Sequence, residues 1–176
     1  QLLMHESFHR VQDALKLAAA NPANAHLDQK DGRIWLRLEW RALERALQEQ
    51  GAARRLAVTD ALIFRRHRQA LFPHAAAEES ALETNEGLAE YTGLKLSARS
   101  SGELAALAGY ALRQFPRRPS YARSFAYATG PAYGALLDAT GAGWRRRIKA
   151  GGDLSALLER ALALKLPADL GAQSAA

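Results

Sequence analysis

His5-Glu6-Ser7-Phe8-His9 sets two imidazoles four residues apart, with a glutamate directly after the first. On an α-helix, positions i and i+4 stand one turn apart on the same face, so both rings can close on one metal ion. The glutamate between them points about 100° around the helix from His5, beside such an ion rather than onto it. Two neutral nitrogen ligands and a nearby carboxylate are what metal-assisted hydrolysis by a zinc peptidase requires. The metal activates a water, and the carboxylate accepts its proton. His5 and His9 are therefore candidate ligands and Glu6 a candidate general base.

Such a site needs a third ligand, and the residues alone leave several open. Asp28, Glu39 and the glutamates of a fourth helical stretch, Glu79, Glu83, Glu86 and Glu90, all qualify by type. On a uniform helical wheel those four fall within about 60° of one another. Like charges in one stripe repel, and a divalent cation nearby would relieve them; a solvated acidic face is the alternative.

The run Asn85-Glu86-Gly87-Leu88-Ala89-Glu90-Tyr91 closely resembles the third-ligand segment of the gluzincin metallopeptidases, the aminopeptidase N-like group in particular. The resemblance implies Glu86 as third zinc ligand and Glu90 as the carboxylate that supports a ligand histidine. A metal-bound imidazole needs such an acceptor on its other nitrogen. Gly87 and Gly93 remove bulk that would otherwise hold this helix away from the first one. Phe125-Ala126-Tyr127-Ala128-Thr129-Gly130 resembles, more loosely, the segment that supplies an oxyanion-stabilising tyrosine in the same family. Tyr127 is the matching residue, with Thr129 where the family usually has lysine; Tyr133 and Tyr121 are alternatives. Arg123, one turn earlier, is a candidate for holding a substrate carboxylate, and Tyr133 a second candidate substrate contact.

Two departures stand out. In the best-known gluzincins the third ligand follows the second histidine closely. Asp28 occupies that short spacing, but in a turn-rich loop without the surrounding motif. Residues 33–72 then form an inserted helical hairpin. The Gly-x-Met-Glu-Asn motif by which aminopeptidases hold a substrate's amino terminus is absent, so exo- and endopeptidase specificity are both open.

These residues must be positioned by helices. The chain is rich in Ala, Leu and Arg, poor in β-branched residues, and shows no sustained two-residue alternation. Apolar spacing predicts helices over about 2–20, 34–50, 53–71, 76–94 and 102–115, then 121–140 with a break at Gly130-Pro131. Shorter helices follow at 144–149 and 153–166. In the first helix Phe8, Val11, Leu15 and Ala18 form the expected core stripe, beside a His5/His9/Gln12 stripe. The fold class is thus all-α, a single helical catalytic domain over 1–170 with a frayed tail at 171–176. The chain starts at Gln1 without an initiator Met, just before the motif, so an upstream, β-containing part is expected to be missing and compartment is not inferred.

With no cysteine there is neither a disulfide framework nor a thiolate zinc site, and no apolar run reaches the length of a membrane span. Residues 1–96 carry 13 basic and 13 acidic side chains and residues 97–176 carry 11 and 5, which places the net charge of +6 in the C-terminal part. No nucleic-acid motif accompanies that charge, so a solvated surface is expected rather than nucleic-acid binding. The expectation is a hydrolase using one Zn²⁺ ion on a peptide or protein substrate. The alternatives are an inactive peptidase-fold binding module and a metal-dependent hydrolase of a non-peptide amide.

Overall fold

A computed structural model describes residues 1–17, 19–141, 143–149 and 152–167. Ala18 of the expected core stripe and the tail 171–176 lie outside the described residues. The architecture is all-α, with no strand among the described residues. Helix α1 spans Leu2–Gln12, α2 Lys30–Gln48, α3 Gly51–Leu71 and α4 Ala75–Leu82. A π turn, Glu83–Gly87, joins α4 to α5, Leu88–Ser97. Then come α6, Ser101–Gln114, α7, Ala126–Asp138, and α8, Leu154–Ala161. Among the described residues, no helix is long and apolar enough to cross a membrane.

Helix α7 is the axis of the molecule. From Ala126 to Leu137 every residue except Tyr127 is buried, with α2, α5, α6, α8 and the π turn packed around it. That enclosure explains why Gly130-Pro131 does not interrupt the helix, contrary to the sequence expectation. Proline removes one i→i−4 hydrogen bond, but surrounding elements hold both halves in line. The hairpin α2–α3 buries Leu36, Trp40, Leu43, Val58, Ala61 and Leu62 in the core. Two helix starts are capped by side chains: Ser100 accepts from Glu103 N–H, and Asp153 from the N–H groups of Ser155 and Ala156.

Helix α1 is shorter than its composition predicts. Lys16 adopts φ +58°, Lys16 N–H bonds Asp13 O, and Leu17 N–H reaches back to Gln12 O. This is a Schellman-type ending without glycine, closed by the buried Leu17. The expected core stripe of α1 is also only partly internal. Phe8 is buried, but Val11 and Leu15 are 49% and 54% exposed, on the wall of an open apolar groove that runs past Leu88, Leu96 and Trp144.

Candidate metal centre

Helix α1 packs against α5, and the π turn against α7, which brings His5, His9, Glu86, Glu90 and Tyr127 to one place. Glycine makes both approaches possible. A Cβ on Gly93 would lie 2.9 Å from Gln1 O and 3.5 Å from the His5 Cβ, so α5 meets α1 here as the sequence suggests. Gly87 serves a different helix from the one expected. It touches Gly130 of α7, where an added Cβ on Gly130 would come within 2.3 Å of the Gly87 Cα.

Three donor atoms converge. His5 Nε2 and His9 Nε2 are 3.3 Å apart, and Glu86 Oε2 lies 3.5 Å from the first and 3.7 Å from the second. Zinc bonds of about 2.0–2.1 Å at tetrahedral angles put ligand atoms about 3.3–3.4 Å apart, so the triangle has the dimensions of such a site. The three side chains are 7%, 28% and 21% exposed, closed on one side and open on the other. This is the one group of three or more such side chains among the described residues with the spacing to hold an ion.

The outer ring nitrogens are held as well. His5 Nδ1 lies 3.0 Å from Glu90 Oε2, and His9 Nδ1 2.9 Å from Gln12 Oε1. With Nδ1–H donated outward, each Nε2 keeps its lone pair toward the centre, the tautomer a cation requires. Gln1 Nε2 donates to the other Glu90 oxygen. From His9 a chain of amides continues: Gln12 Nε2 donates to Asn85 Oδ1, and Asn85 Nδ2 to Glu86 Oε1. Two ligands from distant segments are thereby tied by one hydrogen-bonded relay. Gln12 stands on the expected His5/His9 face, but nothing in an amide's sequence context assigns it this task, and Asn85 is equally silent.

Tyr127 stacks parallel to the His5 ring, centroids 5.7 Å apart, and its hydroxyl donates to Glu86 Oε2 at 2.6 Å. Burial and the Glu86 and Glu90 carboxylates push its pKa well up, so it stays a proton donor throughout the neutral range. Glu6 is exposed beside His5 and makes no hydrogen bond or ion pair among the described residues. Glu86, Glu90 and Tyr127 form one end of a cleft of about 520 Å³ whose wall includes Arg118 and Arg123.

Other candidates are committed elsewhere. Tyr133 is fully buried and donates to Glu39 Oε1 at 2.7 Å, so it is a core residue and not a substrate contact. Tyr121 is likewise buried and donates to Pro116 O. Asp28 accepts from Arg33, the Ser120 hydroxyl and the Tyr121 N–H; burial works to raise its pKa, and these bonds outweigh it and leave it lowered. It braces the segment that leads into α7 and does not join the histidines. Glu39 accepts from Arg65, Arg68 and Tyr133 and is completely buried.

Nor does the acidic stripe act as one unit. Arg65 makes a two-pronged pair with Glu83 at 2.9 and 2.7 Å, and Arg68 one with Glu79 at 2.8 and 2.8 Å. His26 Nε2 lies 2.9 Å from the same Glu79. The π turn is why the uniform wheel fails. Its extra residue per turn rotates Glu86 and Glu90 away from the direction of Glu79 and Glu83. No family model matches the chain, and no curated protein or solved structure matches it either.

Proposed function

We propose that this chain is the helical catalytic part of a zinc metallopeptidase of the gluzincin type. The reading is carried by the triangle of His5 Nε2, His9 Nε2 and Glu86 Oε2, with both histidines braced at Nδ1. Two hard-to-reconcile lone pairs and a carboxylate oxygen facing one point form a donor set for a divalent cation, and N₂O with an open side suits catalytic zinc. When bound, zinc supplies a Lewis acid that polarises a carbonyl and brings the pKa of water toward neutrality.

The chain's own groups complete the hydrolysis. Glu6, next to His5 and free of other partners, takes a proton from the water whose oxygen attacks the scissile carbonyl carbon. It returns that proton to the amine nitrogen as the C–N bond breaks. Tyr127 donates its hydroxyl hydrogen bond to the carbonyl oxygen as negative charge develops there, exchanging Glu86 for the substrate. Glu90 and Gln12 keep the two imidazoles oriented. The test pairs zinc titration with hydrolysis of a mixed peptide library. Glu6→Gln keeps stoichiometric zinc and loses turnover, and full activity in that variant would refute the role of Glu6.

A further inference from the structure

The cleft beside the candidate metal centre is lined by side chains of both signs. Glu86, Glu90 and Tyr127 line it together with Arg118 and Arg123, both of them exposed. Neither arginine has a carboxylate within ion-pairing distance among the described residues. Arg118 is nonetheless held, its guanidinium 4.4 Å above the Phe115 ring, a contact that orients the group without neutralising it. Arg123 lines the same cleft as Tyr127, whose hydroxyl donates to Glu86. A carboxylate entering the cleft gains charge-assisted hydrogen bonds from guanidinium groups that no acidic side chain already occupies.

We infer that Arg118 and Arg123 form an anion subsite that selects peptides with a carboxylate within one or two residues of the scissile bond. The carboxylate comes from an Asp or Glu side chain or from a free C-terminus. This rests on the peptidase reading for its register but not for its binding chemistry, and the two are separable.

The experiment measures equilibrium binding to the zinc-loaded Glu6→Gln chain by calorimetry. Three peptides of one sequence are compared: internal Glu with an amidated end, internal Gln with an amidated end, and internal Gln with a free end. At least one acid peptide is expected to bind about ten-fold tighter than the neutral one, with the margin shrinking at high salt. Whichever acid peptide gains identifies the source of the carboxylate. The ratio collapses toward one in Arg118→Gln/Arg123→Gln and is partly kept in Arg123→Lys. Equal binding of all three peptides, binding of none, or a ratio that survives the double substitution overturns the subsite. If the unmodified chain cleaves neutral and acidic peptides at the same kcat/KM, the subsite falls and the peptidase reading stands. If zinc binds and no peptide is cleaved, the peptidase reading falls and the binding ratio still decides the subsite.

Discussion

From Glu79 to Glu90, helix α4, the π turn and α5 place four glutamates within twelve residues, and the two halves of that series live in opposite environments. Glu79 and Glu83 are fully buried against Arg65 and Arg68, with Glu39, His26 and Tyr133 completing a closed network. Its positive partners are covalently part of the chain. Glu86 and Glu90 face His5 and His9, whose imidazoles carry no permanent charge, and lie partly open to a cleft. The first half is satisfied from within; the second joins two imidazoles at a spacing that fits a divalent ion. A stripe of acids therefore does not define a metal site by itself. What distinguishes the two halves is whether the facing groups are permanent cations or imidazoles with inward lone pairs.

That contrast can be broken at either end. The largest effect is expected from His5→Ala or His9→Ala. Each should lower zinc affinity by more than the about 10–100-fold that a supporting residue is worth, while far-UV circular dichroism stays helical. A chelator-competition titration reads the loss, and unchanged affinity would remove both histidines from the site. At the other end, Arg68→Met removes the two-pronged partner of Glu79 and one of three donors to Glu39, which leaves one arginine for three buried glutamates. It should cost about 3–5 kcal/mol in urea unfolding, because an uncompensated buried charge remains. A cost below about 1 kcal/mol would show that the network is slack.

Gly130→Ala comes next, with about 1–3 kcal/mol expected from overpacking where its Cβ meets the Gly87 backbone. It should also weaken zinc binding, since the π turn that carries Glu86 has to shift. Stability lost with zinc affinity intact would mean that the two helices yield elsewhere. Gln12→Ala is expected to weaken zinc binding about ten-fold and leave the melting temperature nearly unchanged, as the relay to Asn85 opens.

The smallest effect separates the two buried glutamates by pH. Burial alone would raise the Glu79 pKa, but Arg68, His26 and Arg65 outweigh it and hold the carboxyl far below its ordinary 4.5. Its pairing therefore contributes fully above that value and is lost as pH falls through the folded value. Burial raises Glu83 despite Arg65, so its contribution has the opposite sign and fades as pH rises through its folded value. Thermal melts should show stability declining below about pH 4.5, and Glu79→Gln should flatten that decline. An unaltered acid limb in the variant would assign the decline to other carboxylates, Asp28, Asp138 and Asp153 being those also lowered.

The all-α class and most helix limits were legible because helical apolar spacing is a local property. His5 and His9 stood out by residue type and interval, whereas Glu86 and Glu90 were singled out among the acids only by the resemblance of the run Asn85–Tyr91. Tyr127 was legible only as one of three tyrosines, and burial chose among them: Tyr121 and Tyr133 are inside, Tyr127 is at the cleft. What escaped depends on distant packing. Arg65 and Arg68 sit in a helix that also carries Arg54, Arg55 and Arg66, and no local pattern says which two turn inward. The π turn has no composition of its own, so the split of the acidic series was invisible. Lys16 closes α1 in a left-handed conformation without glycine, and Pro131 stays within α7 because its surroundings outweigh its propensity.

The bare contact between Gly87 and Gly130 has a consequence for how the molecule responds to heat. Main-chain atoms, not rotamers, set the gap between the strand of chain bearing Glu86 and the one bearing Tyr127, three residues before Gly130. Side-chain hopping cannot widen a spacer that has no side chains. The pocket's width is then fixed until whole helices separate, so warming should leave it unchanged up to a sharp, cooperative opening rather than loosen it by degrees.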